Sequence, residues 1–236
     1  VSDPLLAAED VTVRLGGAPV LRGVSIAVRA GEVLGVFGPS GAGKSTLFRA
    51  LAGEGRIERG RVRIDGADVT SLPLWDRARR GLGYVPQTPS VLLDLTALEN
   101  LAVFRRLARP ARADGPDPAA LLADLGLADR AGVPAGSLSG GERRRLELAR
   151  ALSASPRVLL CDEPFAAIDP HGADRIGARL RALRDGGAAV VVADHHVAAA
   201  LRLCDRAALL LEGEVAVVAD PAGFRDDPQV RRHYFG

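Results

Sequence analysis

The chain has 236 residues, 47% of them apolar and 25% charged, with a formal net charge of +2. That is the balance of a globular protein with a substantial core, and it excludes a global field that recruits nucleic acid. Aromatics reach only 4%, too few for a base-stacking surface, and no run approaches the ~18 apolar residues that span a bilayer.

The N-terminus has no basic stretch followed by an apolar one and a small-residue cleavage site, so no secretion signal is expected. Cys161 and Cys204 are too few and too far apart for a disulfide framework, and read as reduced, buried thiols. Lysine and arginine total 31, yet only one, Lys44, is lysine. A single retained ammonium points to a position where a planar guanidinium does not work.

Residues 5–13, 21–28 and 33–37 read as strands, the last an apolar run that feeds a glycine-rich turn and then a helix over 44–52. Strands follow at 61–65, which alternates apolar and polar residues, and at 82–85. Residues 88–153 change to helical spacing, with helices over 97–108 and 119–125 separated by a Pro/Gly/Asp-rich loop at 109–118. A strand at 157–161, a helix at 172–184, a strand at 188–193, a helix at 197–203, strands at 207–211 and 215–218, and a short amphipathic C-terminal helix complete the chain. Strand–helix alternation on both sides of a helical insert predicts an α/β fold with a mostly parallel sheet.

Gly38-Pro39-Ser40-Gly41-Ala42-Gly43-Lys44-Ser45 matches a phosphate-cradling loop at every position, in the required context between strand and helix, with Thr46 following. Glycines let the backbone turn its N–H groups inward, and the helix start adds partial positive charge. Lys44 reaches the β- and γ-phosphates of ATP and the Ser45 hydroxyl ligates Mg²⁺. Residues 158–163 form an apolar strand ending in two adjacent carboxylates, Asp162 and Glu163. Such a pair repels itself without a cation, so Asp162 reads as a Mg²⁺ ligand and Glu163 as the group that polarises an attacking water. Leu138-Ser139-Gly140-Gly141-Glu142 opens a further helix with a hydroxyl and two glycines, a second anion-facing helix start suited to a partner's nucleotide.

These motifs together resemble the nucleotide-binding subunits of ABC transporters, and the resemblance covers the whole chain. It implies a P-loop NTPase core (1–87 and 154–236), an N-terminal antiparallel β-subdomain and an inserted helical subdomain (88–153). It further implies that Gln87 senses Mg²⁺ and the attacking water, that Asp169 belongs to the D-loop, and that His195 contacts the γ-phosphate. His196 has no family role and reads as solvated. Residues 72–87, 139–145, 162–166 and 230–236 are similar to the lipopolysaccharide-export ATPases, with branched-chain amino-acid importer ATPases as near relatives and soluble, non-transport ABC ATPases as the other alternative. The resemblance therefore implies a homodimer or paired ABC subunit, transmembrane transporter subunits as partners, and a cytoplasmic place on the inner face of the plasma membrane. Residues 88–93 would line the partner groove. Leu15 stands where such subunits carry an adenine-stacking aromatic, and the chain stops at Gly236 where export ATPases often continue.

Overall fold

The computed structural model describes residues 3–107, 115–195 and 197–234. Four strands, β1 (Leu6–Leu15), β2 (Ala18–Val28), β4 (Arg59–Ile64) and β5 (Ala67–Asp68), form an antiparallel sheet in the order β2-β1-β4-β5. The other six build the central sheet: β3 (Val33–Phe37), β6 (Leu82–Val85), β7 (Val158–Asp162), β8 (Ala189–Ala193), β9 (Arg206–Leu211) and β10 (Glu214–Ala219). Their order is β10-β9-β3-β8-β7-β6, parallel throughout except for β10, which runs antiparallel to β9 at the edge.

β3, β7 and β8 are buried at every position, as parallel strands covered on both faces must be. Side chains alternate between faces with period two, and here the alternation separates two cores. Phe37, Leu159, Cys161, Val190 and Val192 face one core, shared with helices α3 (Ala97–Leu107), α4 (Pro118–Asp124), α5 (Gly140–Ser153) and α6 (Pro170–Asp185). Val36, Val158, Leu160, Val191 and Ala193 face the other, shared with the antiparallel sheet and helix α1 (Lys44–Ala52). No helix among the described residues is long and apolar enough to cross a membrane.

The α/β class, the antiparallel N-terminal sheet and the helical insert match expectation; several boundaries move for local reasons. α5 begins at Gly140 because Ser139 caps it. α6 begins at Pro170, two residues earlier than predicted, because Asp169 accepts the Gly172 N–H at 2.9 Å and proline suits the first helical position. Pro118 belongs to α4, capped by Asp117, rather than to the predicted loop, whose residues 109–114 lie outside the described residues together with Ala108. Helix α7 (Val197–Leu201) is shorter than predicted, and two helices, α8 (Pro221–Asp226) and α9 (Pro228–Tyr234), replace the single C-terminal one. Helix α2 (Leu74–Arg79) had no periodicity long enough to announce it.

Candidate functional site

Parallel strands deliver their C-terminal ends to one edge of the sheet, and the loops that follow build the site there. β3 runs into Gly38–Ser45, β6 into Gln87, β7 into Glu163 and β8 into His195, and β3, β8, β7 and β6 are consecutive neighbours. Segments far apart in sequence thus meet around a hollow of about 370 Å³. Ser40, Gly41, Gly43, Lys44, Ser45 and Thr46 line one side, Gln87, Glu163 and His195 the other, and Val20 of β2 supplies an apolar wall.

The loop needs glycine for two separate reasons. Gly43 has φ 105°, a left-handed conformation that strains any L side chain, and it caps α1 without offering a side-chain acceptor. A Cβ at Gly38 would stand 2.3 Å from the Leu210 carbonyl oxygen. With no acidic side chain in its first turn either, α1 keeps its positive end for an anion. Lys44 is nearly buried; its ammonium donates to Gly38 O at 2.6 Å and Pro39 O at 3.1 Å. Burial lowers its pKa, opposed by the charges of Asp162 and Glu163.

Asp162 is 1% exposed, and its Oδ1 has no hydrogen-bond partner. Burial, partly offset by a hydrogen bond from Ser45, raises its carboxyl above the usual range. A buried carboxylate with an orphaned oxygen beside a serine hydroxyl fits a hard divalent cation such as Mg²⁺, whose preferred ligands are oxygens. Glu163 leaves the strand with φ 58°, a rare value for a side-chain-bearing residue. Its Oε1 accepts a hydrogen bond from Gln87 Nε2 at 2.8 Å, and His195 Nε2 lies 2.8 Å from the same oxygen. Ser45 Oγ lies 3.4 Å from Gln87 Oε1, so Ser45, Gln87, Glu163 and His195 form one chain of polar contacts across the hollow. His196 lies outside the described residues.

Leu138-Ser139-Gly140-Gly141-Glu142 stands apart from this chain of contacts. Ser139 and Glu142 form a reciprocal capping box, with Glu142 Nα–H donating to Ser139 Oγ at 3.3 Å and Ser139 Nα–H to Glu142 Oε2 at 2.9 Å. Open space surrounds the missing Cβ of Gly140. Arg145 links this helix to Asp169 at 3.3 Å. Leu15 is 54% exposed at the β1–β2 turn, outside the lining of the hollow.

Sequence reasoning missed the residues that brace the site. Arg144, on α5, donates to Pro86 O at 2.6 Å, to Glu147 Oε2 at 2.8 Å and to the carbonyl of Asp162, tying the helix to the ends of β6 and β7. Glu147 accepts the Ser90 N–H, and Arg150 donates to the Ser90 carbonyl and hydroxyl. The i, i+3, i+6 spacing of these three charges was their only trace in the sequence. Fully buried Arg77 left no trace among its arginine neighbours.

A strand–loop–helix offering amides, one ammonium and a hydroxyl, faced by two carboxylates from a nearby parallel strand, defines a P-loop nucleoside triphosphatase. The chain belongs to the ABC transporter family, whose characteristic domain matches residues 21–166, and it is an ATP-binding subunit with the family's ATPase activity. It is 44% identical over 218 residues to the lipopolysaccharide export system ATP-binding protein LptB of Acidithiobacillus ferridurans, covering 92% of this chain and 90% of that protein. Among solved structures, an ATP-binding cassette of an ABC transporter in its ADP conformation superimposes with a TM-score of 0.85 at 27% identity, over 100% of both chains. A dimeric cassette in a post-hydrolysis state, bound to ADP and Pi, gives 0.80 at 28% identity over 92% of this chain and 98% of that one.

Proposed function

We propose that two copies of this chain bind and hydrolyse ATP between them and thereby drive transmembrane partners that export lipopolysaccharide. The observation that carries the hydrolytic part is Glu163, held by Gln87 and His195 at the mouth of the phosphate-loop hollow. The substrate rests on the similarity to LptB over nearly the full chain. The paired arrangement rests on the dimeric cassette and on the open approach to Gly140.

In this reading the backbone of Gly38 to Thr46 wraps the phosphates and Lys44 neutralises the β- and γ-oxygens. Ser45, Gln87 and Asp162 hold Mg²⁺, which when bound neutralises phosphate charge. Glu163 accepts a proton from water as its oxygen bonds to the γ-phosphorus and the bridging P–O bond to ADP breaks. Gln87 and His195 orient that carboxylate, and His195 reports on the γ-phosphate. Ser139, Gly140 and Gly141 of one copy, flanked by Leu138 and Glu142, meet the nucleotide of the other, with Asp169 beside them. Residues 1–87 and 154–236 act as the nucleotide core and 88–153 as the helical subdomain. Leu92, Leu93 and Leu98 are exposed apolar side chains beside the Gln87 segment, a surface suited to the membrane partners; the chain thus works at the inner face of the plasma membrane.

The test is Glu163→Gln. Hydrolysis should fall ~10²- to 10⁴-fold while Mg-ATP still binds, and solution mass should shift from monomer to dimer only with Mg-ATP. A monomer with ATP demonstrably bound would count against the shared site. Lipopolysaccharide that leaves the ATPase rate of the reconstituted membrane complex unchanged would count against the substrate.

A further inference from the structure

The C-terminal stretch has no part in the chemistry above, yet it touches the phosphate loop. Tyr234, the last residue of α9, places its hydroxyl oxygen 2.5 Å from the Gly38 nitrogen, accepting that N–H. Gly38 is the first residue beyond β3, and its carbonyl accepts the Lys44 ammonium at 2.6 Å. Its two peptide groups are therefore pinned from opposite directions. The C-terminal helix holds the N–H of one, and the lysine holds the C=O of the other.

Gly38 cannot be replaced by a stiffer residue, because the Leu210 carbonyl occupies the place of its Cβ. Glycine has the largest backbone freedom to lose on ordering, so the start of the loop needs an external restraint. The seat of α9 is firm enough to supply one. Val230 is fully buried, and Phe224 of α8 packs its ring 5.4 Å from Phe37, the residue before Gly38. Burial raises the pKa of the Tyr234 hydroxyl, partly offset by the Gly38 N–H it accepts.

We propose that Tyr234 is a positioning residue for nucleotide: by holding the Gly38 N–H it presets the phosphate loop and the carbonyl that aims Lys44. This rests on the reading of the loop as the nucleotide site. Tyr234→Phe keeps the ring and removes only the hydroxyl. Calorimetric titration of the full chain should give Mg-ADP binding weakened about three- to tenfold, the range of one lost hydrogen bond. The KM for ATP should rise by a similar factor with kcat nearly unchanged. Amide exchange at Gly38 should quicken while β7 and β8 stay protected. Val62→Ala, a cavity in the antiparallel sheet far from α9, controls for stability: it should lower Tm without changing Mg-ADP affinity. Wild-type affinity in Tyr234→Phe, or an equal loss of affinity in Val62→Ala, overturns the positioning role alone. Failure of the wild-type chain to bind Mg-ADP overturns the nucleotide reading and this inference with it.

Discussion

Arg77 offers the sharpest test of how the phosphate-loop helix is held. Its side chain has no exposed surface and spends its donors on four carbonyls: Leu72 at 2.9 Å, Ala50 at 2.8 Å, Leu51 at 2.7 Å and Thr70 at 2.9 Å. Ala50 and Leu51 lie in the last turn of α1, where carbonyls lack helical partners and a cation is favoured. Burial lowers the guanidinium pKa to about 10, and the four carbonyl acceptors compensate the buried charge. Arg77→Met keeps an apolar stem and removes all four bonds, leaving Ala50 O only the Gly53 N–H at 3.3 Å. At ~1 kcal/mol net per bond the loss is ~4 kcal/mol. For a chain of this size each kcal/mol moves Tm by ~2–4 °C, so calorimetry should read a fall of ~8–16 °C. Arg77→Lys keeps the charge but not the planar fork, and should lose about half as much. Arg79→Met, whose partner Asp76 is a surface residue on the same helix, should stay within ~0.5 kcal/mol. An Arg77→Met variant that melts within ~3 °C of wild type would refute the brace.

Lys44→Arg should weaken Mg-ADP binding at least ~tenfold, because a bulkier planar cation cannot occupy a site closed by the Gly38 and Pro39 carbonyls; titration calorimetry would expose the error if affinity held. Leu15→Tyr should tighten ATP binding by adding a stacking face worth ~1–3 kcal/mol, and unchanged affinity would show that the base lies elsewhere. Glu142 is held down to about 2, first by the Ser139 N–H and then by Arg130. A depressed carboxyl stabilises the folded chain above its ordinary value of 4.5 and loses that contribution as pH falls toward 2. The Tm gap between wild type and Glu142→Gln should therefore narrow across that window, and a gap constant with pH would be inconsistent with the capping box.

Wherever function rides on contiguous residues, the sequence was enough. Gly38 to Ser45 must form a cradle because glycine spacing, lysine and the flanking strand and helix all lie within one short segment, and Asp162–Glu163 announces itself as a charged end to an apolar strand. Continuous apolar runs likewise revealed the buried strands, since a strand covered on both faces has no polar position to alternate with. Leu74–Arg79 and the split of α8 from α9 were not legible, because six- and seven-residue helices carry too few turns for a periodicity.

Only the tertiary structure decided how the side chains of the site meet and which others brace them. The neighbouring ends of β3, β8, β7 and β6 bring Gln87 and His195 onto the same oxygen of Glu163. Arg77 turns inward where Arg79 and Arg80 do not, and Tyr234 crosses nearly the length of the chain to reach Gly38. A hydrogen bond between distant segments leaves no pattern in either one, because each partner is chosen by the geometry that folding creates. Local propensity and spacing name the chemistry; the strand order and the packing of helix ends set where each atom stands.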